Sequence, residues 1–222
     1  MILENFDKAI ITIGKNILAT LPADSYKGKI CVIDNPEKVK SAVEEIRTAD
    51  IIGFDTETRP SFKKGQQYNV ALIQLATQDC VYLFRTSMIG YPQELINLLE
   101  DPDILKVGLS LHDDFHNLRR VVSFEPQGFI DLQNFVKDFK IVDNSLSRLY
   151  GILFGKRLSK AQRLSNWEAN PLSESQKQYA SLDAYSCIKI YNYLKEGKFD
   201  PMASEYLTLP PEPEEAKEEK EE

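Results

Sequence analysis

Three apolar, β-branched runs follow one another with no helix between them, and this order constrains the fold more than any other feature. Residues 50–57, 69–77 and 80–84 each read as a strand, and only the Gln78-Asp79 pair separates the last two. Strands joined by so short a turn pair antiparallel. The pattern then changes to alternation, with a helix over 91–99, a strand over 104–110, a helix over 112–122 and a short strand over 129–132. Upstream, 29–34 reads as a strand, and 36–48 reads as a helix carrying Val39, Ala42, Val43 and Ile46 at helical spacing behind Pro36. From 132 to 194 the chain reads as predominantly helical, with 173–194 its longest segment. A meander followed by strand-helix alternation implies an α/β domain, a mixed sheet flanked by helices on both faces.

The chain has 222 residues, enough to bury a substantial core without disulfides or a structural metal. Cys31, Cys80 and Cys187 are odd in number and widely spaced, which suits free thiols in a reducing compartment. No run approaches the ~18 apolar residues of a membrane span. Residues 9–20 are weakly signal-like, but Glu4 and Asp7 stand where a positive region should precede them and Lys15 interrupts them. The expectation is a cytoplasmic protein with no membrane partner.

The formal charge of -7 argues at first against nucleic acid. Seven Glu and two Lys lie in residues 211–222, however, leaving 27 acids and 25 bases in the rest of the chain. That tail lacks large apolar side chains and is expected to be disordered. The organisation expected is an N-terminal extension over 1–27, one domain over 28–198, and a C-terminal segment over 199–222 ending in the acidic tail. Residues 148–167 carry Arg148, Lys156, Arg157, Lys160 and Arg163 with no acid. A solvated basic face explains such a run unless a phosphate-using site lies beside it.

Three places offer chemistry. Asp55 and Glu57 end the first strand of the meander on one face, because strand side chains alternate; strand fraying is the plain alternative. Asp114 opens the 112–122 helix on the stripe of Leu118 and Val121, while Asp113 points away; capping is the alternative there. Tyr179 and Asp183 share one face of the last helix, in line with Cys187 and Ile190, where a buried salt bridge is the alternative.

In order, these motifs resemble the DEDD family of 3'-5' exonucleases, in the tyrosine subgroup of ribonuclease D and the Werner exonuclease. Gly53-Phe54-Asp55-Thr56-Glu57 with the strand Ala71-Leu72-Ile73-Gln74-Leu75-Ala76 is similar to the family's first motif. Lys106-Val107-Gly108 through Asp114-Phe115 to Leu118 is similar to the second. Ser165-Asn166-Trp167, Pro171-Leu172-Ser173, Gln176-Lys177, Tyr179-Ala180 and Asp183-Ala184-Tyr185 are similar to the third and its approach. The histidine subgroup has His where this chain has Gln178.

The resemblance implies a ribonuclease H-like fold over about residues 28–196. It implies two divalent cations, magnesium or manganese, held by Asp55, Glu57, Asp114 and Asp183, with Tyr179 orienting the attacking water. Asp55 would bridge both ions, Glu57 and Asp183 would complete one, and Asp114 would serve the other through water. Four such charges within ~4 to 6 Å would repel by several kcal/mol without a cation. The substrate implied is nucleic acid with a free 3' end. Arg59, Lys63, Lys64, Lys156, Arg157, Lys160 and Arg163 are candidates for its phosphates, and Phe62, Tyr68 and Phe115 for its bases. Trp167 reads as packing, and His112 and His116 as surface histidines. A non-catalytic binding module on the same fold, or a hydrolase of small phosphoesters, are the competing readings.

Overall fold

The first strand of the meander becomes the axis of the protein. In a computed structural model, which describes residues 8–208, the small strand β1 (Ile10–Ile11) precedes a six-stranded mixed sheet. The sheet contains β2 (Lys29–Ile33), β3 (Ile51–Thr58), β4 (Val70–Ala76), β5 (Cys80–Phe84), β6 (Leu105–Gly108) and β7 (Phe129–Asp131), in the order β2-β5-β4-β3-β6-β7. β3, β4 and β5 form the antiparallel meander, while β2, β6 and β7 each add parallel to a neighbour. The two-residue turn closes as expected, with the Thr77 amide donating to the Cys80 carbonyl at 2.8 Å.

Helices cover both faces, because β3 and β4 bury side chains in both directions. On one face Val39, Val43 and Ile46 of α2 (Val39–Ile46), Leu95 and Leu99 of α4 (Gln93–Leu99), and Leu111 and Leu118 of α5 (Leu111–Arg119) enclose Ile52, Phe54, Ile73 and Leu75. The short α3 (Thr86–Ile89) joins that layer through Ile89. On the other face α6 (Leu132–Phe135), α7 (Leu146–Phe154) and α8 (Glu174–Lys195) pack on Leu72, Ala76, Leu83 and Val107. The layered α/β architecture is therefore the one the strand order implies.

Two regions differ from the sequence reading. Residues 155–173, expected to be mostly helical, contain no α-helix. Gly155 ends α7 in the left-handed region at φ 61, and the chain then runs through turns until Ser173 caps α8. The Ser173 hydroxyl accepts from the Gln176 amide at 3.2 Å, and the Gln176 side chain accepts from the Ser173 amide at 3.0 Å, a reciprocal cap. The N-terminal stretch, whose packing the sequence leaves open, lies against the α7 and α8 layer. β1 pairs with β8 (Leu207–Thr208), the α1 helix (Lys15–Thr20) follows, and Ile11 and Ile13 are buried in the core. Asp143 holds this stretch by accepting from the Ile13 amide at 2.9 Å and the Thr12 hydroxyl at 3.0 Å. The expected disordered tail, 211–222, lies outside the described residues.

Candidate active site

Strand alternation on β3 sends Gly53, Asp55 and Glu57 toward α8, and Ile52, Phe54 and Thr56 toward α5. The β3-β4 register slips between Glu57 and Thr58, an irregularity that ends the regular pairing just past the two acids. α8 comes close enough to place Asp183 against them. One carboxylate oxygen from each of Asp55, Glu57 and Asp183 lies within 4.8 Å of the others. The Tyr179 hydroxyl, one helical turn before Asp183 on the same helix face, lies near enough to that carboxylate to offset part of the effect of its burial. The stripe that sequence spacing places on one helix face therefore meets the carboxylates of β3.

Asp114 stands on the other side of the strand end. It takes a hydrogen bond from the Thr56 hydroxyl, on the strand face opposite Asp55 and Glu57. Its helix is set by Asp131 at the end of β7, whose carboxylate accepts from the amides of Ser110 at 3.1 Å, Leu111 at 3.0 Å and Gln133 at 2.9 Å. Ser110 occupies the left-handed region at φ 63, which turns the chain sharply from β6 into α5. The sequence alone singles out neither Thr56 nor Asp131 as a supporting residue. An acid closing a short strand was the available signal for Asp131, but its partners lie some 20 residues upstream.

Burial and mutual repulsion make this an unhappy cluster without a countercharge. Burial, then the charges of Asp114, Asp183 and Glu57, push Asp55 well above the carboxylate range. Burial and the same neighbours push Glu57 up to about 9, with Arg163 pulling the other way. Burial likewise raises Asp183 to about 7 and Asp114 to about 7. Burial and the facing acids push Tyr179 above its ordinary value, so its hydroxyl stays a donor. Hard oxygen donors converging in this way fit a divalent cation.

The expected substrate contacts fall into different settings. Arg163 and Lys160 are exposed on the loop after α7, and Arg163 lies near enough to Glu57 to act on its charge. Lys63 and Lys64 are exposed on the loop after β3, where Phe62 is 83% exposed. Arg59 pairs with Glu168 at 3.0 Å and stacks on Tyr68. These two loops face each other across a cavity of about 260 Å³ lined by Arg59, Phe62, Lys63, Tyr68, Leu164 and Asn166.

Three of the residues expected to touch substrate make contacts within the protein. Lys156 pairs with Asp24 at 3.1 Å, and Arg157 donates to the Leu21 carbonyl at 3.0 Å, so both serve to dock the N-terminal stretch. Phe115 is half-buried and packs its ring against Phe54, Phe124 and Phe129. Trp167 is fully buried beside Tyr179, the packing role expected of it, and His112 and His116 are exposed.

Comparison with known proteins agrees with this arrangement. The 3'-5' exonuclease family profile matches residues 30–197. The mouse bifunctional 3'-5' exonuclease/ATP-dependent helicase WRN is 38% identical over 151 residues, covering 65% of this chain and 11% of that protein. A 3'-5' exonuclease of Arabidopsis thaliana is 32% identical over 194 residues, covering 79% of this chain and 66% of that one. The crystal structure of the Aedes aegypti Nibbler EXO domain superposes with a TM-score of 0.70 at 25% identity, covering 81% of this chain and 96% of the other. This chain thus spans about a tenth to two thirds of the length of these two curated relatives. Since the profile match takes in β3 to β7 and all four acids, the chain belongs to the 3'-5' exonuclease family.

Proposed function

We propose that this chain is a metal-dependent 3'-5' exonuclease that hydrolyses phosphodiester bonds from the 3' end of DNA or RNA. The observation that carries the reading is the meeting of Asp55, Glu57 and Asp183 within 4.8 Å at the end of β3. Those three, with Asp114 beside Thr56, would hold two magnesium or manganese ions. Such ions supply a water acidic enough to attack at neutral pH and stabilise the leaving 3'-oxygen. The protein's own part is positioning. Tyr179 orients the attacking water through its hydroxyl, because burial and the acids oppose its ionisation and make it a poor base.

The strand would run between the loop after β3 and the loop after α7. Lys63, Lys64, Lys160 and Arg163 face its phosphates, and exposed Phe62 and Leu164 offer apolar surface to its bases. Among the described residues no helix is long and apolar enough to cross a membrane. Three free cysteines suit a reducing compartment, and the cytoplasm is the proposed location. The test is to incubate the full chain with 5'-labelled single-stranded DNA, single-stranded RNA and a recessed-3' duplex, each with magnesium, manganese or calcium. Shortening supported by magnesium or manganese fits the reading. Equal turnover of a small phosphodiester and no action on any strand would replace it with the small-substrate reading.

A further inference from the structure

Gln74 is the one polar side chain in β4, a strand otherwise made of Val, Ala, Leu and Ile. It has 0% exposure, and neither its amide oxygen nor its amide nitrogen has a hydrogen-bond partner. Exchanging the two amide atoms would change nothing, since both are unpaired. Burying an unpaired amide is costly, and an apolar side chain of the same length would serve the core better. Packing therefore gives no reason for a glutamine here.

The register supplies one. Gln74 is the direct cross-strand partner of Asp55, and beyond it lies Leu83 of β5. Directly opposed residues of an antiparallel pair point to the same face, with Cβ atoms ~4.5 to 5.5 Å apart. The amide thus leaves β4 on the same face as the Asp55 carboxylate leaves β3. Besides its burial, the groups acting on that carboxylate are three acids and the Thr56 backbone. A neutral donor fits this position where a lysine or arginine would not, because a cationic side chain would compensate the charge that a metal ion needs.

We infer that Gln74 is a positioning residue, whose side-chain amide donates to the Asp55 carboxylate and fixes the orientation in which that acid takes the cations. The inference rests on the reading of the acids as a cation site. It assigns Gln74 no contact with substrate and no proton to transfer.

The test compares wild type with Gln74→Met, following melting temperature as manganese is added to the metal-free full chain. Gln74→Met should fold, melt at or above the wild-type temperature without metal, and bind manganese ~10 to 100 times more weakly. Gln74→Leu is the second apolar replacement should methionine pack poorly. A manganese response in both variants equal to wild type, or failure of both to fold, would assign the amide to the core and overturn the inference. Absence of any manganese response in wild type would instead remove the cation reading on which it rests.

Discussion

Gly53 of β3 lies so near Ala184 of α8 that a Cβ on Gly53 would stand 2.0 Å from the Ala184 carbonyl oxygen. Two residues along β3 stands Asp55, and one residue back along α8 stands Asp183. The absent side chain is what lets the helix settle far enough onto the sheet for the acids of the two elements to meet. Gly53→Ala should therefore push α8 outward, since backbone cannot yield as a side-chain tip can. The expected loss is about 1 to 3 kcal/mol in urea unfolding, with exonuclease activity falling further than stability does. A variant with normal activity would show that this contact does not set the distance between the acids.

The pH dependence of stability follows from the acids. Glu57 at about 9, and Asp114 and Asp183 at about 7, hold their protons more tightly folded than unfolded. Their stabilising effect is complete below the ordinary carboxylate range and is lost as pH rises through their folded values. Burial lowers Lys106 to about 8, which acts in the opposite sense only above that pH. In EDTA, the melting temperature should accordingly fall between about pH 5 and 8. Manganese should reverse the trend, and Asp183→Asn should flatten it. Rising stability over that window in EDTA would contradict the account.

Thr56→Val removes the hydroxyl that Asp114 accepts while keeping the side-chain shape. The prediction is a fall in activity of about tenfold to a hundredfold, of the size found when a ligand's supporting hydrogen bond is removed. Circular dichroism should be unchanged. Full activity would leave the Thr56 bond without a role in placing Asp114.

Arg163 and Lys156 separate substrate binding from packing. Arg163→Ala should weaken nucleic-acid binding and lower the slope of log affinity against log salt by about one. Lys156→Ala should leave that slope unchanged, because its partner is Asp24. Equal salt slopes for wild type and Arg163→Ala would move the strand elsewhere.

Much of this molecule was legible because it is local. The strands β3, β4 and β5 announce themselves as apolar runs with one short turn, and the spacing of Tyr179 and Asp183 sets their common face whatever lies opposite. The contacts that escaped are distant in the chain. Ile11 and Ile13 look like any short apolar stretch until Asp143, some 130 residues away, pairs with the backbone beside them. Phe115 carries no mark that its ring turns in toward Phe54 and Phe129. Residues 155–173 contain enough helix formers to mislead, and only the left-handed Gly155 and the cap at Ser173 show that two helices end and begin there.

The central claim is that the acids gathered at the end of β3 remove nucleotides from a 3' end with divalent cations. Its most direct measurement is the length of a 5'-labelled single strand after incubation with wild type, Asp55→Asn or Asp183→Asn, each with manganese or EDTA. Wild type should give a ladder of progressively 3'-shortened products with manganese alone, and neither folded variant should give one. Shortening by wild type in EDTA, or a ladder of wild-type intensity from Asp55→Asn, would contradict it.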